Sequence, residues 1–211
     1  MATAAALSKP VEKVDTPEIP TYFVKEVLDG VPLYYKGYKE VLNNNKTLED
    51  IMGSSSLQAI IVSYLMKVLI KQLDDRTYYF LTNEIGSHIS LKNNLSHDIA
   101  IFDKTVLTPD KINKHYSDVP AKVIIEVDVN IEAEKPLDWD YLSKKTETVF
   151  AFGTEKVIWI LTESKKVIVA QPSQDWLIID WNKDIELLDG QHFNIGTYLA
   201  SEGIQLENTN I

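Results

Sequence analysis

The chain has 211 residues, with 31 Asp and Glu against 21 Lys and Arg and no cysteine. This length suffices for one domain with a sizeable core, and the acidic balance argues against a protein that grips phosphates through a broad basic surface, although a divalent cation can supply positive charge locally. The lack of cysteine excludes disulfides, thiolate zinc sites and cysteine nucleophiles, and it is compatible with a reducing cytosol.

The N-terminal part of the chain predicts a tail followed by a hairpin. Residues 1–20 show no apolar periodicity, so we expect a mobile tail there, ahead of a single domain over residues 21–211. Two strand-like runs, Tyr22–Leu28 and Val31–Tyr35, flank Asp29-Gly30, a pair typical of a tight turn.

The longest apolar segment, Leu57–Leu73, predicts a helix. Apolar residues recur through it at helical spacing, and Ser55 or Ser56 is suited to its N-cap. Lys67 and Lys71 interrupt the segment, which favours a buried helix of a soluble protein over a membrane span. Because the N-terminus shows no signal-peptide pattern, we expect a cytoplasmic protein without a membrane partner.

The rest of the chain alternates between strand and helix patterns. Strands are predicted at Thr77–Leu81, His88–Leu91, His97–Phe102, Lys122–Val129, Val157–Leu161, Val167–Ala170, Trp176–Asp180 and Ile185–Leu187. Helical patterns are predicted near Thr108, over Trp139–Phe152 with a stop at Gly153, and over Thr197–Ala200. A turn is predicted at Asn93-Asn94. These elements indicate an α/β (α+β) domain, and residues 121–161 could form a parallel strand–helix–strand crossover.

The most apolar strand, Lys122–Val129, carries two acids. Because side chains alternate along a strand, Glu126 and Asp128 share a face with Ile124 and lie about 7 Å apart along the chain. Two such acids repel each other unless a cation or proton lies between them, which makes a hard-metal site one interpretation. A half-exposed strand with a solvated face explains the same pattern, so both interpretations stay open at this point.

A lysine lies in the middle of an apolar helical stripe. On a helical wheel Lys145 lies among Tyr141, Leu142, Val149 and Phe152. Such a lysine either extends along its methylene stem to water or meets a carboxylate, phosphate or water inside the protein. The helix follows the acidic strand after a short connection, so its inward face should look back onto that strand.

Asp98 is a third candidate, at the start of the apolar strand His97–Phe102. Alone it is explained by an acid that caps a turn. Together with Glu126, Asp128 and Lys145 it forms a set typical of metal-dependent phosphodiester hydrolysis. In such sites acids hold Mg²⁺, the metal lowers the pKa of a bound water, and a lysine orients that water or offsets developing charge.

The order of the motifs resembles a known family. The motifs are Glu26-Val-Leu-Asp-Gly30, the Ser54–Leu73 helix, His97–Phe102, Val123–Val127, Lys145 with Phe150–Gly153, and Lys156–Ile160. In this order, over about residues 22 to 190, they resemble the Uma family of candidate restriction endonucleases, a branch of the PD-(D/E)XK nuclease superfamily.

The resemblance implies a fold and a chemistry. It implies a restriction-endonuclease-like mixed central sheet flanked by helices, a Mg²⁺ (or Mn²⁺) cofactor and a nucleic-acid substrate, with DNA expected first. By position, Asp98 and Glu126 would be catalytic metal ligands and Lys145 the catalytic lysine, while Glu26 would be an auxiliary acid. Asp128 is expected to be a second auxiliary acid. A homodimer is also expected by analogy with enzymes that cut both strands of a duplex.

Three positions depart from the family pattern and keep other functions open. His97 replaces the proline that precedes the first acid, Asp128 stands where the E-x-K form has its lysine, and Ser56-Leu57-Gln58 stands where relatives often carry a histidine. A second hypothesis is therefore a non-catalytic interaction module that retains a nuclease fold. A third is an unrelated soluble domain with chance acids, for which Lys145→Ala would slightly stabilise the fold.

Overall fold

The computed structural model describes residues 19–128, 131–132 and 138–206. Nearly all of the expected N-terminal tail, and Val129 at the end of the predicted acidic strand, lie outside the described residues. The strands are β1 (Val24–Leu28), β2 (Val31–Tyr35), β3 (Tyr78–Ser90), β4 (Asn93–Asp103), β5 (Val123–Val127), β6 (Ile131–Glu132), β7 (Lys156–Leu161), β8 (Lys166–Ala170), β9 (Leu177–Asp180), β10 (Ile185–Leu188) and β11 (Gln191–Phe193). The α-helices are α1 (Tyr38–Leu42), α2 (Glu49–Met52), α3 (Ser56–Gln72), α4 (Asp138–Phe152) and α5 (Ile195–Ser201).

Nine of these strands form one mixed sheet. Its order is β6-β2-β1-β4-β5-β7-β8-β9, with β3 paired to β4, while β10 and β11 form a separate hairpin. Strands β5 and β7 run parallel and are joined through α4, and the other described pairs are antiparallel. The predicted crossover within residues 121–161 and the mixed sheet flanked by helices are both confirmed.

The alternation of β5 separates two apolar layers. Val123, Ile125 and Val127 pack in the layer that includes α3, and Ile124 packs in the layer that includes α4. All four side chains are buried. Because Glu126 follows Ile125 in a regular strand, its side chain is directed to the α4 side.

Helix α3 begins at the predicted cap. The Ser55 hydroxyl accepts a hydrogen bond from the backbone N–H of Gln58 at 3.1 Å. The helical stretch Glu49–Gln72 is long and apolar enough to cross a membrane by composition. Ile61 and Leu65 of this stretch are completely buried in the core beside the sheet, and 28% of its most apolar window is buried.

The predictions for Thr77–Leu81 and His88–Leu91 as two strands were wrong, because both belong to the single strand β3. Asn83 and Glu84 take left-handed backbone conformations, with φ of 71° and 54°, and lie together opposite Asp98 of β4. This bulge lets one strand continue past a polar interruption that sequence patterns treat as a break.

The predicted turn at Asn93-Asn94 was also displaced. The turn lies at Leu91 and Lys92, and the two asparagines begin β4. The Asn93 side chain is used elsewhere, since its Oδ1 accepts the backbone N–H of Asp29 at 2.8 Å. Side-chain bonding to a neighbouring turn explains why an asparagine pair here marks a strand start.

Gly86 of β3 allows a loop to pack closely on the sheet. The Tyr116 ring lies over this glycine so closely that an added Cβ would be 2.4 Å from it. We expect Gly86→Ala to lower the free energy of unfolding by about 1–3 kcal/mol, because the ring must move. Gly53→Ala is the matched control, since its Cβ would meet nothing within 4 Å. Equal urea unfolding midpoints for the two variants would contradict this packing.

Candidate active site

Lys145 points into the protein and meets two acids. Its side chain is 3% exposed, and Nζ lies 2.8 Å from Glu26 Oε1 and 2.9 Å from Glu126 Oε1. It also donates hydrogen bonds to the Ser96 carbonyl at 2.7 Å and to the Tyr141 hydroxyl at 3.1 Å. Lys145 therefore does not extend to water, and the inward face of α4 looks back onto β5 as its place in the chain predicts.

Glu26, the acid on β1, accepts hydrogen bonds from protein groups at both carboxylate oxygens. Glu26 Oε1 accepts the backbone N–H of Ser96 at 3.2 Å and its hydroxyl at 3.0 Å, besides the Lys145 ammonium. Glu26 Oε2 accepts the Tyr141 hydroxyl at 2.9 Å. This network fixes Glu26 beside Lys145, where it supplies negative charge.

Glu126 is held in its ionised form. Burial alone would raise the pKa of its carboxyl, but the charge of Lys145 and the hydrogen bond from His97 lower that pKa to about 2. Burial likewise opposes the charge of Lys145, and the two glutamates outweigh it, so the pKa of the ammonium is raised well above its ordinary value. The pair is thus ionised throughout the physiological range.

His97 is a member of the site that the sequence marked only as a departure from the family pattern. Its Nδ1 lies 2.8 Å from Glu126 Oε1, and its Nε2 lies 3.1 Å from Ser87 Oγ. Because an ionised carboxylate only accepts, Nδ1 carries the hydrogen, and a neutral ring then accepts the Ser87 hydroxyl at Nε2. His97 connects β3 to Glu126.

Asp98, on β4, lies beside the end of β5 and has a different environment from Glu126. Its Oδ2 accepts the backbone N–H of Val127 at 2.7 Å. Burial and then the charge of Glu126 raise the pKa of Asp98 to about 6, against the lowering effect of the Val127 hydrogen bond. The two acids on neighbouring strands therefore differ in protonation: Glu126 stays ionised, while Asp98 takes up a proton near pH 6.

Gln58, from the first turn of α3, lies beside this acid. Its Nε2 donates to the Val127 carbonyl at 3.0 Å and lies 3.4 Å from Asp98 Oδ2. The sequence singled out Gln58 only as a missing histidine. The sequence shows only a polar helix start there, and the burial of Gln58 that places it at the site is visible only in the structure.

The structure separates Asp128 from the face it was expected to share with Glu126. Strand β5 ends at Val127, and Asp128 has a left-handed φ of 63°. Its two carboxylate oxygens accept the Thr162 backbone N–H at 2.7 Å and the Thr162 hydroxyl at 2.8 Å. Asp128 borders the site, but its oxygens are engaged in holding the turn after β7.

A small polar cavity of about 20 Å³ lies among these groups, room for roughly one water molecule. It is lined by Lys25, Glu26, Glu84, Ser96, His97, Asp98, Glu126, Asp128, Tyr141, Lys145 and Trp159.

The available carboxylates suit a magnesium ion that keeps part of its water shell, rather than a metal enclosed wholly by protein ligands. Within the described ranges, no three His, Asp or Glu side chains are arranged to hold a metal by themselves. Mg²⁺, however, usually takes one or two carboxylates and completes its shell with water and substrate phosphate. No described residue donates a hydrogen bond to Glu126 Oε2. The raised pKa of Asp98 comes first from burial and then from the charge of Glu126, and a bound cation would offset the second of these.

Comparison with known proteins supports the fold. A crystal structure from Anabaena variabilis, described as a candidate nuclease belonging to DUF820, matches with a TM-score of 0.53 and 15% sequence identity, over 71% of this chain and 83% of that chain. DUF820 is the Uma family that the sequence motifs resemble. No sequence-family profile matches the chain, and no curated protein matches it. The mixed α/β architecture expected from the sequence is therefore confirmed at the level of the fold.

Removing the buried ammonium should be costly. We expect Lys145→Met to lower the free energy of unfolding by about 3–5 kcal/mol, because two buried carboxylates lose their counter-charge. Adding Glu26→Gln to this variant should recover part of the loss. Urea unfolding at pH 7 measures both effects. A more stable Lys145→Met or Lys145→Ala protein would instead support the interpretation that the acids are there by chance.

The raised pKa of Asp98 predicts a pH dependence. The stability it contributes is fully present below pH 3.8 and is lost as pH rises through about 6. Asp98→Asn should remove this dependence, so between pH 4 and pH 8 the variant should gain about 2 kcal/mol relative to the wild type, measured with EDTA present. Asp175→Asn, at an exposed position, is the control. Parallel curves of unfolding free energy against pH for Asp98→Asn and wild type would contradict the raised pKa of Asp98.

Proposed function

We propose that the protein is a metal-dependent endonuclease that hydrolyses phosphodiester bonds in nucleic acid. The observation that carries the proposal is the meeting of Asp98, Glu126 and Lys145, from β4, β5 and α4, at one cavity. Acids from two strands and an ammonium from the next helix are the groups that such hydrolysis requires. The likeness of the fold to a candidate nuclease supports the same reaction class.

Each residue has a defined part in this proposal. Asp98 and Glu126 would hold Mg²⁺ or Mn²⁺, which supplies Lewis acidity and a lowered water pKa when bound. Lys145 keeps its charge at any physiological pH because of Glu26 and Glu126, so it would orient water and offset negative charge without donating a proton. Glu26 fixes the lysine, and Asp128 fixes the turn beside the site.

The acidic chain needs help to approach a polyanion. With a formal net charge of −10, the protein repels phosphates at long range, so we propose that divalent cations mediate substrate contact. DNA is the proposed substrate, and a two-fold homodimer would place two sites on the two strands of a duplex. We propose the cytoplasm as the location.

The test combines metal binding with cleavage. Wild-type protein should give binding heat with Mn²⁺ in isothermal titration and should cut plasmid DNA or single-stranded oligonucleotides in Mg²⁺ or Mn²⁺. Asp98→Ala and Glu126→Ala should abolish the heat. Lys145→Ala should lower cleavage by about 10²–10³-fold, as for loss of one group that stabilises charge in a transition state.

Asp175→Asn is the control for nonspecific effects of removing an acid at an exposed position. Intact DNA and RNA across pH 6–9 with both metals, in the presence of a folded protein, would contradict the endonuclease proposal.

A second candidate is an interaction module with a nuclease fold. The observation that favours it is the internal satisfaction of the acids: Glu26 is saturated by protein donors, and Glu126 Oε1 already pairs with Lys145 and His97. The cavity is small, at about 20 Å³, and the acids and the lysine satisfy one another there without any ligand. Equal Mn²⁺ titrations of wild type, Asp98→Ala and Glu126→Ala would favour this candidate.

A further inference from the structure

The two oxygens of Glu126 have unequal environments. Oε1 lies 2.8 Å from His97 Nδ1 and 2.9 Å from the Lys145 ammonium. Both of these contacts are made to Oε1, and among the described residues no hydrogen bond or ion pair reaches Oε2. One oxygen is therefore engaged inside the protein, and the other is left for a partner.

The histidine that engages Oε1 is itself fixed. Its side chain is 0% exposed, and its second ring nitrogen lies 3.1 Å from the Ser87 hydroxyl. Ser87 is buried on β3, and the backbone on either side of it is bonded to Ser117, through the His88 N–H at 2.8 Å and the Gly86 carbonyl at 2.9 Å. The ring cannot turn without breaking a bond at each end, so the orientation of the Glu126 carboxylate is fixed from β3.

A carboxylate that is fixed in place and offers only one oxygen distinguishes between cations. Ca²⁺ takes six to eight oxygen ligands at 2.3–2.6 Å and often binds a carboxylate through both oxygens. Mg²⁺ and ions of similar size take six ligands in a stricter octahedron and accept a carboxylate through one oxygen, with water in the other positions. A glutamate that offers one oxygen suits the smaller ion.

We infer that His97 is a specificity-determining residue: together with the Lys145 ammonium it holds Oε1 of Glu126, which leaves a single oxygen for a cation and favours Mg²⁺ or Mn²⁺ over Ca²⁺. This inference rests on the proposed function, because it needs Glu126 to be a metal ligand. It assigns a purpose to the residue that replaces the family's proline. His97 is a positioning residue, since it acts through Glu126.

The experiment compares two ions on the same variants. Mn²⁺ and Ca²⁺ affinities are measured by isothermal titration for the wild type, His97→Phe and His97→Asn. His97→Phe keeps a ring but loses the donor that fixes the Glu126 carboxylate from β3, so Oε1 keeps only its contact with the Lys145 ammonium. Because the carboxylate can then turn both oxygens toward a cation, the ratio of Ca²⁺ to Mn²⁺ dissociation constants should fall about tenfold, within the range for loss of a group that orients a metal ligand. His97→Asn can place an N–H near the same oxygen and should keep a ratio close to that of the wild type.

The ratio separates selectivity from general damage. A variant that merely loosens the site weakens both ions together and leaves the ratio unchanged. His192→Phe, at an exposed position on β11, is the matched control and should behave as wild type. If His97→Phe does not fold, Ser87→Ala removes only the hydroxyl that fixes the ring, and it should shift the ratio in the same direction by a smaller amount.

Two failures are distinguishable. If the wild type binds Mn²⁺ but the ratio is the same in the His97→Phe protein, or in Ser87→Ala where that variant replaces it, the inference about His97 is overturned and the metal site stands. If the folded wild type binds neither ion, the metal-binding part of the proposed function is wrong, and the inference is overturned with it.

Discussion

The ammonium of Lys145, enclosed between Glu26 and Glu126, is the constraint on which the site depends. Burying a charge without a partner is prohibitively costly, so a buried lysine needs acids and buried acids need a lysine. Here one ammonium contacts two carboxylates at 2.8 and 2.9 Å. Strand β1 brings Glu26, β5 brings Glu126 and α4 brings Lys145, so all three elements must dock together before any of these charges is stabilised.

The same network creates a difference between acids that share one cavity. Glu126 has the lysine and His97 beside it, and its pKa falls to about 2. Asp98 is buried beside that negative charge, and its pKa rises to about 6. Environments that shift the pKa values of two neighbouring carboxyl groups in opposite directions are common where the two carboxylates have separate chemical tasks. A cation between them would remove the penalty on Asp98, which links the strain in the free protein to the proposed ligand.

Several members of the site were predictable because they follow from local periodicity. Strand alternation directs Glu126 away from Val123, Ile125 and Val127, and helical periodicity places Lys145 among apolar neighbours. Both patterns have a fixed geometry that the sequence shows directly. The failures lie where the backbone leaves its regular path. Asp128 departs from the strand through a left-handed conformation, and no alternation rule includes such a step.

The sequence by itself determined the mixed α/β architecture, the strand–helix–strand order over residues 121–161 and the place of Lys145 in an apolar helical stripe, because these depend on patterns along the chain. Tertiary structure alone decided that His97 meets Glu126, that Gln58 reaches the Val127 carbonyl and that the Lys145 ammonium turns inward to pair with Glu26, which the family resemblance had given only as an auxiliary acid. Each of those contacts spans at least 29 residues of chain. They depend on the register of one strand against another, on a bulge opposite Asp98 and on the docking of a helix start, and these arise only when separate elements pack together.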